Sequence, residues 1–216
     1  TTSVPGGRWD PAQWVHEDPM APNMAYTSDA CWLPDADMFD PKFFKISKNE
    51  VMTMDPKQRL LLETCYDSFH HAGYDKDSLR GSSMAVLVGL CSNDWPLISE
   101  HQKPVASVAA TGNSGCSQAL HSNRISYALG LRGPSMTIDT ACSSSLVCVD
   151  IGIKYLHEGV SPAVCVAGIN LCLTPYMFVA LSKATMLSPT GRNATFDDSA
   201  NGYVRGEGVV AAVLKK

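Results

Sequence analysis

The chain has 216 residues, with 17 basic and 21 acidic side chains and a net charge of −4 at neutral pH. That balance gives no basic stripe for nucleic acid and no polybasic membrane patch, and no run approaches the roughly 20 apolar residues of a membrane span. The length suits one domain with a sizeable core, or part of a larger one.

Residues 1–50 carry turn formers with little periodicity: Pro5-Gly6-Gly7, Asp10-Pro11, Pro22-Asn23, Pro34-Asp35 and Asp40-Pro41. Such a loop-rich lead-in covers a site or an interface, or waits for the partner that orders it. Asp55-Pro56 then starts a helix running from Lys57 to about Ala72, with Leu60, Leu61, Cys65 and Phe69 on its buried side. His70 and His71 at its end suit the helix dipole better than catalysis. Met84–Leu90 is a continuous apolar run of strand length, expected to be covered on both faces. Residues 91–113 return to loop, and a helix is expected from about Ser114 to Leu129, with Leu120, Ile125 and Leu129 inward and Gly130 closing it.

Pro134 opens a short strand in which Met136 and Ile138 alternate with Thr137 and Asp139. It stops at Ala141-Cys142, where three serines, expected as helix cap and first turn, lead into an apolar segment from Leu146 to Leu156 that Gly159 terminates. A second buried strand covers Ala163–Gly168, and Tyr176–Met186 reads as a helix. Ser188-Pro189-Thr190-Gly191 is a turn before a final buried strand, Gly208–Leu214. Helices alternating with buried strands define an α/β chain with its sheet between helical layers.

Cys142 therefore falls where a strand turns sharply into a helix N-terminus. Unpaired N–H groups and the helix dipole favour an anion there. Such positions lower a thiol's pKa and direct N–H groups at a developing oxyanion. A cysteine met at random is most often a buried core residue, but this context makes Cys142 the candidate nucleophile. The eight cysteines form no C-x-x-C pair, and several lie in apolar runs, so a reducing compartment is expected rather than a zinc site or disulfide framework. The cysteine usage points to the cytoplasm; Thr1-Thr2-Ser3-Val4-Pro5 is neither a signal peptide nor a start methionine, so the true N-terminus is expected to lie upstream and an organelle stays the alternative. Asn193-Ala194-Thr195 matches a glycosylation sequon by chance on this reading.

The run Asp139-Thr140-Ala141-Cys142-Ser143-Ser144-Ser145-Leu146 resembles the active-site signature of β-ketoacyl synthases, in particular the ketosynthase domains of polyketide synthases and animal-type fatty acid synthases. Arg8-Trp9-Asp10, Met54–Glu63, Asn123-Arg124-Ile125-Ser126-Tyr127, Leu187-Ser188-Pro189 and Gly202–Gly208 also look like that family, in the family's order. The resemblance implies a thiolase-like layered fold, a homodimer, and a decarboxylative Claisen condensation. No directly bound cofactor is implied. The partners would be acyl carrier protein, which delivers phosphopantetheine-borne acyl and malonyl thioesters. Cys142 would be both nucleophile and backbone oxyanion donor, and Leu181, where family members often have phenylalanine, would gate the acyl pocket. Residues 1–216 are expected to be the N-terminal part of that domain, the family's catalytic histidines, lysine and glycine-rich oxyanion segment belonging to its second half.

None of His16, His70, His71, His101, His121 and His157 lies in a setting like the family's histidine motifs. His157 stands 15 residues from Cys142, about 22 Å along a helix. His121 is expected at a helix surface or core rim. Thr190 and Asn193 depart from the family's Ser-Pro-Asp-Gly-Arg-Cys loop, with little effect expected on chemistry. The competing readings are a thiolase or chalcone-synthase-like enzyme using CoA thioesters, a non-catalytic interaction module, which the presence of Cys142 disfavours, and an inactive partial fragment.

Overall fold

A computed structural model describes residues 1–101 and 112–216, and they divide into two units, residues 1–34 with 171–208 and residues 35–170 with 209–216. The first unit opens with a 3-10 turn, Pro11–Gln13, capped by Asp10, and a short strand β1, Ala30–Cys31. The second begins with α1, Lys48–Val51, α2, Pro56–His71, α3, Lys76–Leu79, and β2, Ala85–Gly89. It continues through α4, Trp95–His101, α5, Gly112–Cys116, and α6, Leu120–Leu129. Then come β3, Ser135–Ile138, α7, Ser144–His157, and β4, Ala163–Asn170. The chain re-enters the first unit with α8, Tyr176–Lys183, and β5, Arg205–Gly206, and ends in β6, Gly208–Lys215.

The central sheet has the order β3-β2-β4-β6. β2 runs parallel to both neighbours, with Leu87 opposite Met136 on one side and Val166 on the other. All five β2 residues are buried, as a strand covered on both faces requires. Alternation sorts the side chains between two cores. Val86, Val88, Cys165 and Ala167 meet Leu61, Leu62, Cys65 and Phe69 of α2 and Ile125 and Leu129 of α6. Ala85, Leu87, Val164 and Val166 meet Cys148 and Leu156 of α7. Each fully buried large aliphatic or aromatic side chain stabilises this arrangement by roughly 1.5–3 kcal/mol relative to exposure. The second unit is thus a helix–sheet–helix sandwich that holds α7 against the sheet.

The first unit has its own small core of Ala25, Ala30, Cys172, Phe178 and Leu187. Trp9 and Trp32 place their ring centroids 5.3 and 5.9 Å from that of Phe178. β1 and β5 pair in parallel through Ala30 with Arg205 and Cys31 with Gly206.

Four sequence expectations need correction. The expected helix 114–129 is two helices, because the chain turns over residues 117–119 while Gln118 Nε2 donates to Leu90 O at 3.0 Å. Part of the expected loop 91–113 is helical, as α4 and the start of α5; residues 102–111 lie outside the described residues. α8 ends at Lys183, short of Met186, and Thr185 just beyond takes φ +54°. β6 stands at an edge of the sheet and is not the buried strand expected: Val209, Ala211 and Val213 pack on one core and Leu214 on the other, but none of its residues is fully buried, and Val210 is 64% exposed. No described helix is long and apolar enough to cross a membrane.

Candidate active site

β3 delivers the chain to the elbow, and α7 carries it away. Asp139 Oδ1 accepts Ala141 N–H at 2.9 Å, closing a tight turn just past the strand. Ala141 takes φ +56°, a left-handed conformation that costs a residue with a β-carbon about 1–2 kcal/mol. Cys142 follows with its side chain exposed, one turn-residue ahead of the 14-residue helix α7. The other cysteines on this helix and sheet differ in kind. Cys148 and Cys165 are buried, and burial pushes the Cys148 thiol up to about 11.

The serines do not cap α7 as expected. Ser143, at the cap position, has helical backbone and makes no side-chain capping bond. Its Oγ instead donates back to Thr140 O at 2.9 Å and lies 2.9 Å from Thr140 Oγ1. Ser144 is buried, accepts Thr140 N–H at 2.9 Å and donates to Ala141 O at 2.7 Å. Both hydroxyls bind the elbow rather than the helix.

Two glycines set the height of α7 over the sheet. A Cβ on Gly89, the last residue of β2, would stand 2.5 Å from Ser145 N and 2.7 Å from Ser144 C. One on Gly168 of β4 would stand 3.0 Å from Ser145 Cβ. The first turn of α7 therefore rests directly on the ends of two strands, an approach that only glycine permits at position 89 and that a side chain at position 168 would crowd. Both glycines fall within the strands expected from the sequence, 84–90 and 163–168, but their contact with α7 depends on the order of the sheet.

The flanking motifs brace one another. Gln58 Oε1 accepts Arg124 Nε at 2.8 Å, Arg124 pairs with Glu50, and Gln58 Nε2 donates to Ser114 O and Gly115 O at 3.1 and 3.2 Å. Asp55 caps α2 through Lys57 N–H at 2.8 Å, and its Oδ2 faces Lys57 Nζ at 3.2 Å and His121 Nε2 at 3.4 Å. All three side chains are fully buried, so His121 is a core residue and not a rim residue. Its other nitrogen lies 2.9 Å from Gln118 O. Both ring nitrogens thus lie inside the core, one beside Gln118 O and the other facing the Asp55 carboxylate, rather than open to substrate as a base at Cys142 must be. His16 binds Asp18 N–H, and His70, His71 and His157 sit exposed in last helical turns. In the other unit, the buried Glu207 side chain accepts from Arg8, Leu33 N–H and Cys172 N–H at 3.0, 3.0 and 2.8 Å, joining two more motifs. Leu181 lies in α8 of that same unit, half-buried against the Phe178 cluster.

The thiol is presented at a strand-to-helix turn over the parallel strands β3, β2 and β4, between helices, an arrangement shared with solved ketosynthase domains of thiolase-like α/β fold. The model of the β-ketoacyl synthase N-terminal domain matches residues 1–216, and the chain belongs to that family. Among curated relatives, it is 44% identical over 214 residues to the hybrid PKS-NRPS synthetase mpsA of Macrophomina phaseolina, covering 99% of this chain and 5% of that protein. It is 39% identical over 215 residues to the mycocerosic acid synthase-like polyketide synthase of Mycolicibacterium smegmatis, covering 100% of this chain and 10% of that one. Among solved structures, the ketosynthase from module 6 of the bacillaene synthase of Bacillus subtilis superimposes with a TM-score of 0.88 at 34% identity. An oxazolomycin ketosynthase domain of Streptomyces albus does so at 0.91 and 33%. Both cover all of this chain, which spans 35% and 37% of those structures' length.

Proposed function

We propose that this chain is the nucleophile-bearing part of a polyketide-type ketosynthase that condenses acyl and malonyl units. Cys142, exposed at the head of α7, carries the reading. Its sulfur attacks the carbonyl of an acyl thioester borne by phosphopantetheine on a carrier protein. The carrier thiol leaves, and the acyl group becomes a Cys142 thioester. A malonyl thioester then loses carbon dioxide, and the resulting carbanion attacks the acyl carbonyl. The new carbon–carbon bond yields a β-ketoacyl carrier thioester and frees the Cys142 thiolate. Sulfur suits both halves, because thiolate is strongly nucleophilic and leaves readily in thioester exchange. The Cys142 N–H, with the helix dipole behind it, is one donor for the oxyanion.

The mechanism also needs groups that stabilise the enolate. With His121 held by Asp55 and Gln118, that task falls to histidines of the kind the family places in the rest of its domain. Leu181 is proposed as a gate on acyl length. A homodimer finds support in β3, an edge strand of the sheet, whose outer N–H and C=O groups can take another strand. The test supplies acyl carrier protein to a ketosynthase domain that contains residues 1–216, followed by mass mapping of the acyl group. Acylation of Cys142, abolished by Cys142→Ala, is expected. Acylation elsewhere with Cys142 untouched overturns the reading.

A further inference from the structure

We propose that the Ser144 hydroxyl is the latch that aims Cys142, a positioning role that rests on Cys142 being the nucleophile. The latch consists of bonds on both sides of the residue that bends the chain. Ahead of the bend, the Ser144 Oγ accepts Thr140 N–H at 2.9 Å; behind it, the same oxygen donates its hydrogen to Ala141 O at 2.7 Å. The Ser144 N–H also reaches Ala141 O, at 3.2 Å. A single buried hydroxyl thus spans the residue at φ +56° and ties the 139–140 peptide plane before it to the 141–142 plane that leads into Cys142.

The bend has no glycine to relieve it, so its geometry depends on bonds that hold the chain there. Asp139 supplies one from the strand side, to Ala141 N–H. Ser143 cannot replace Ser144, because its hydroxyl is exposed and is directed at Thr140 alone. Ser144 in turn cannot wander, because its own peptide carbon would be 2.7 Å from a Cβ on Gly89, which places it hard against the end of β2. The latch is therefore anchored to the sheet, and the direction of the Cys142 side chain follows from it.

The experiment compares wild type, Ser144→Ala, Ser144→Thr and the double variant Ala141→Gly/Ser144→Ala in the same ketosynthase domain. It measures Cys142 acylation by acyl carrier protein, Cys142 alkylation by iodoacetamide, and thermal unfolding. Ser144→Ala is expected to slow acylation about 10- to 100-fold, the scale of a small misplacement of a reacting group, with KM for the carrier thioester nearly unchanged. Ser144→Thr keeps the hydroxyl and is expected to keep most of the rate. The double variant removes the cost of the left-handed bend, so it is expected to unfold near the wild-type temperature yet acylate slowly. That outcome separates aiming from stability and stands in if Ser144→Ala does not fold. Wild-type acylation rates in the double variant overturn the latch. A wild-type enzyme that is not acylated at Cys142 overturns the nucleophile reading instead.

Discussion

His121 Nε2 lies 3.4 Å from Asp55 Oδ2, with both side chains fully buried and Lys57 Nζ on the same oxygen at 3.2 Å. Burial by itself pushes the Asp55 carboxyl up. The His121 contact, the Lys57 and His121 charges and the Lys57 N–H together outweigh it and hold the carboxyl below its ordinary value. A depressed folded-state pKa gives stability that is present above the unfolded value, near 3.9, and lost as pH falls through the folded one. Asp55→Asn is therefore expected to destabilise the domain at neutral pH by about 3–5 kcal/mol, since it leaves the buried Lys57 ammonium without its carboxylate. It should also flatten the loss of stability on acidification. Urea unfolding of both proteins from pH 7 to about pH 3 checks this, and parallel curves count against it.

Thiol chemistry should discriminate among the cysteines. Cys142 is exposed, Cys148 is buried with its thiol near 11, and Cys65 is raised by its contact with Cys165 and by burial. Iodoacetamide at neutral pH is expected to label Cys142 well before Cys148, Cys65 or Cys165 in the folded domain. Peptide mapping over a time course reads the order. Equal rates at the four positions would remove the basis for a selective nucleophile.

Gly89→Ala should damage the site through the helix rather than through the thiol. Its Cβ would collide with backbone at 2.5 and 2.7 Å, so the first turn of α7 must lift. A loss of about 1–3 kcal/mol is expected, together with slower Cys142 acylation. Gly208→Ala is the control, because a Cβ there meets nothing within 4 Å. Equal behaviour of the two variants in calorimetry and acylation would contradict the close-approach argument.

If Leu181 gates acyl length, Leu181→Phe and Leu181→Ala should shift chain-length preference in opposite directions while leaving Cys142 alkylation intact. Competition among carrier-bound acyl groups of graded length measures it. An unchanged preference in both variants ends the gating role.

The elbow was legible in the sequence because two local patterns meet there, alternation through Met136–Ile138 and a helix closed by Gly159. Strands β2 and β4 were legible as unbroken apolar runs. What stayed hidden depended on residues far apart in the chain. His121 looked like a rim residue because its partners, Asp55 and Lys57, lie on another helix. β6 is as apolar a run as β4, yet it stands at an edge, and composition alone does not say which strand has neighbours on both sides. The bonds of Ser144 run backward into the elbow, against the forward capping that serines before a helix usually perform.

The pairing of Ala30 with Arg205 and Cys31 with Gly206 has a consequence for synthesis. On a ribosome, residues 35–170 emerge carrying all three parallel strands β2, β3 and β4 and the elbow, so that unit can begin to collapse early. Residues 1–34 emerge before them but must wait, because their partner segment 171–208 is made last among the residues they need. Closing so long a loop is entropically slow. During that delay Trp9 and Trp32 lack Phe178, their eventual packing partner. A nascent chain paused after Asn170 should therefore be cut by protease first within residues 1–34, and a chaperone that captures the chain at that stage should hold the same stretch.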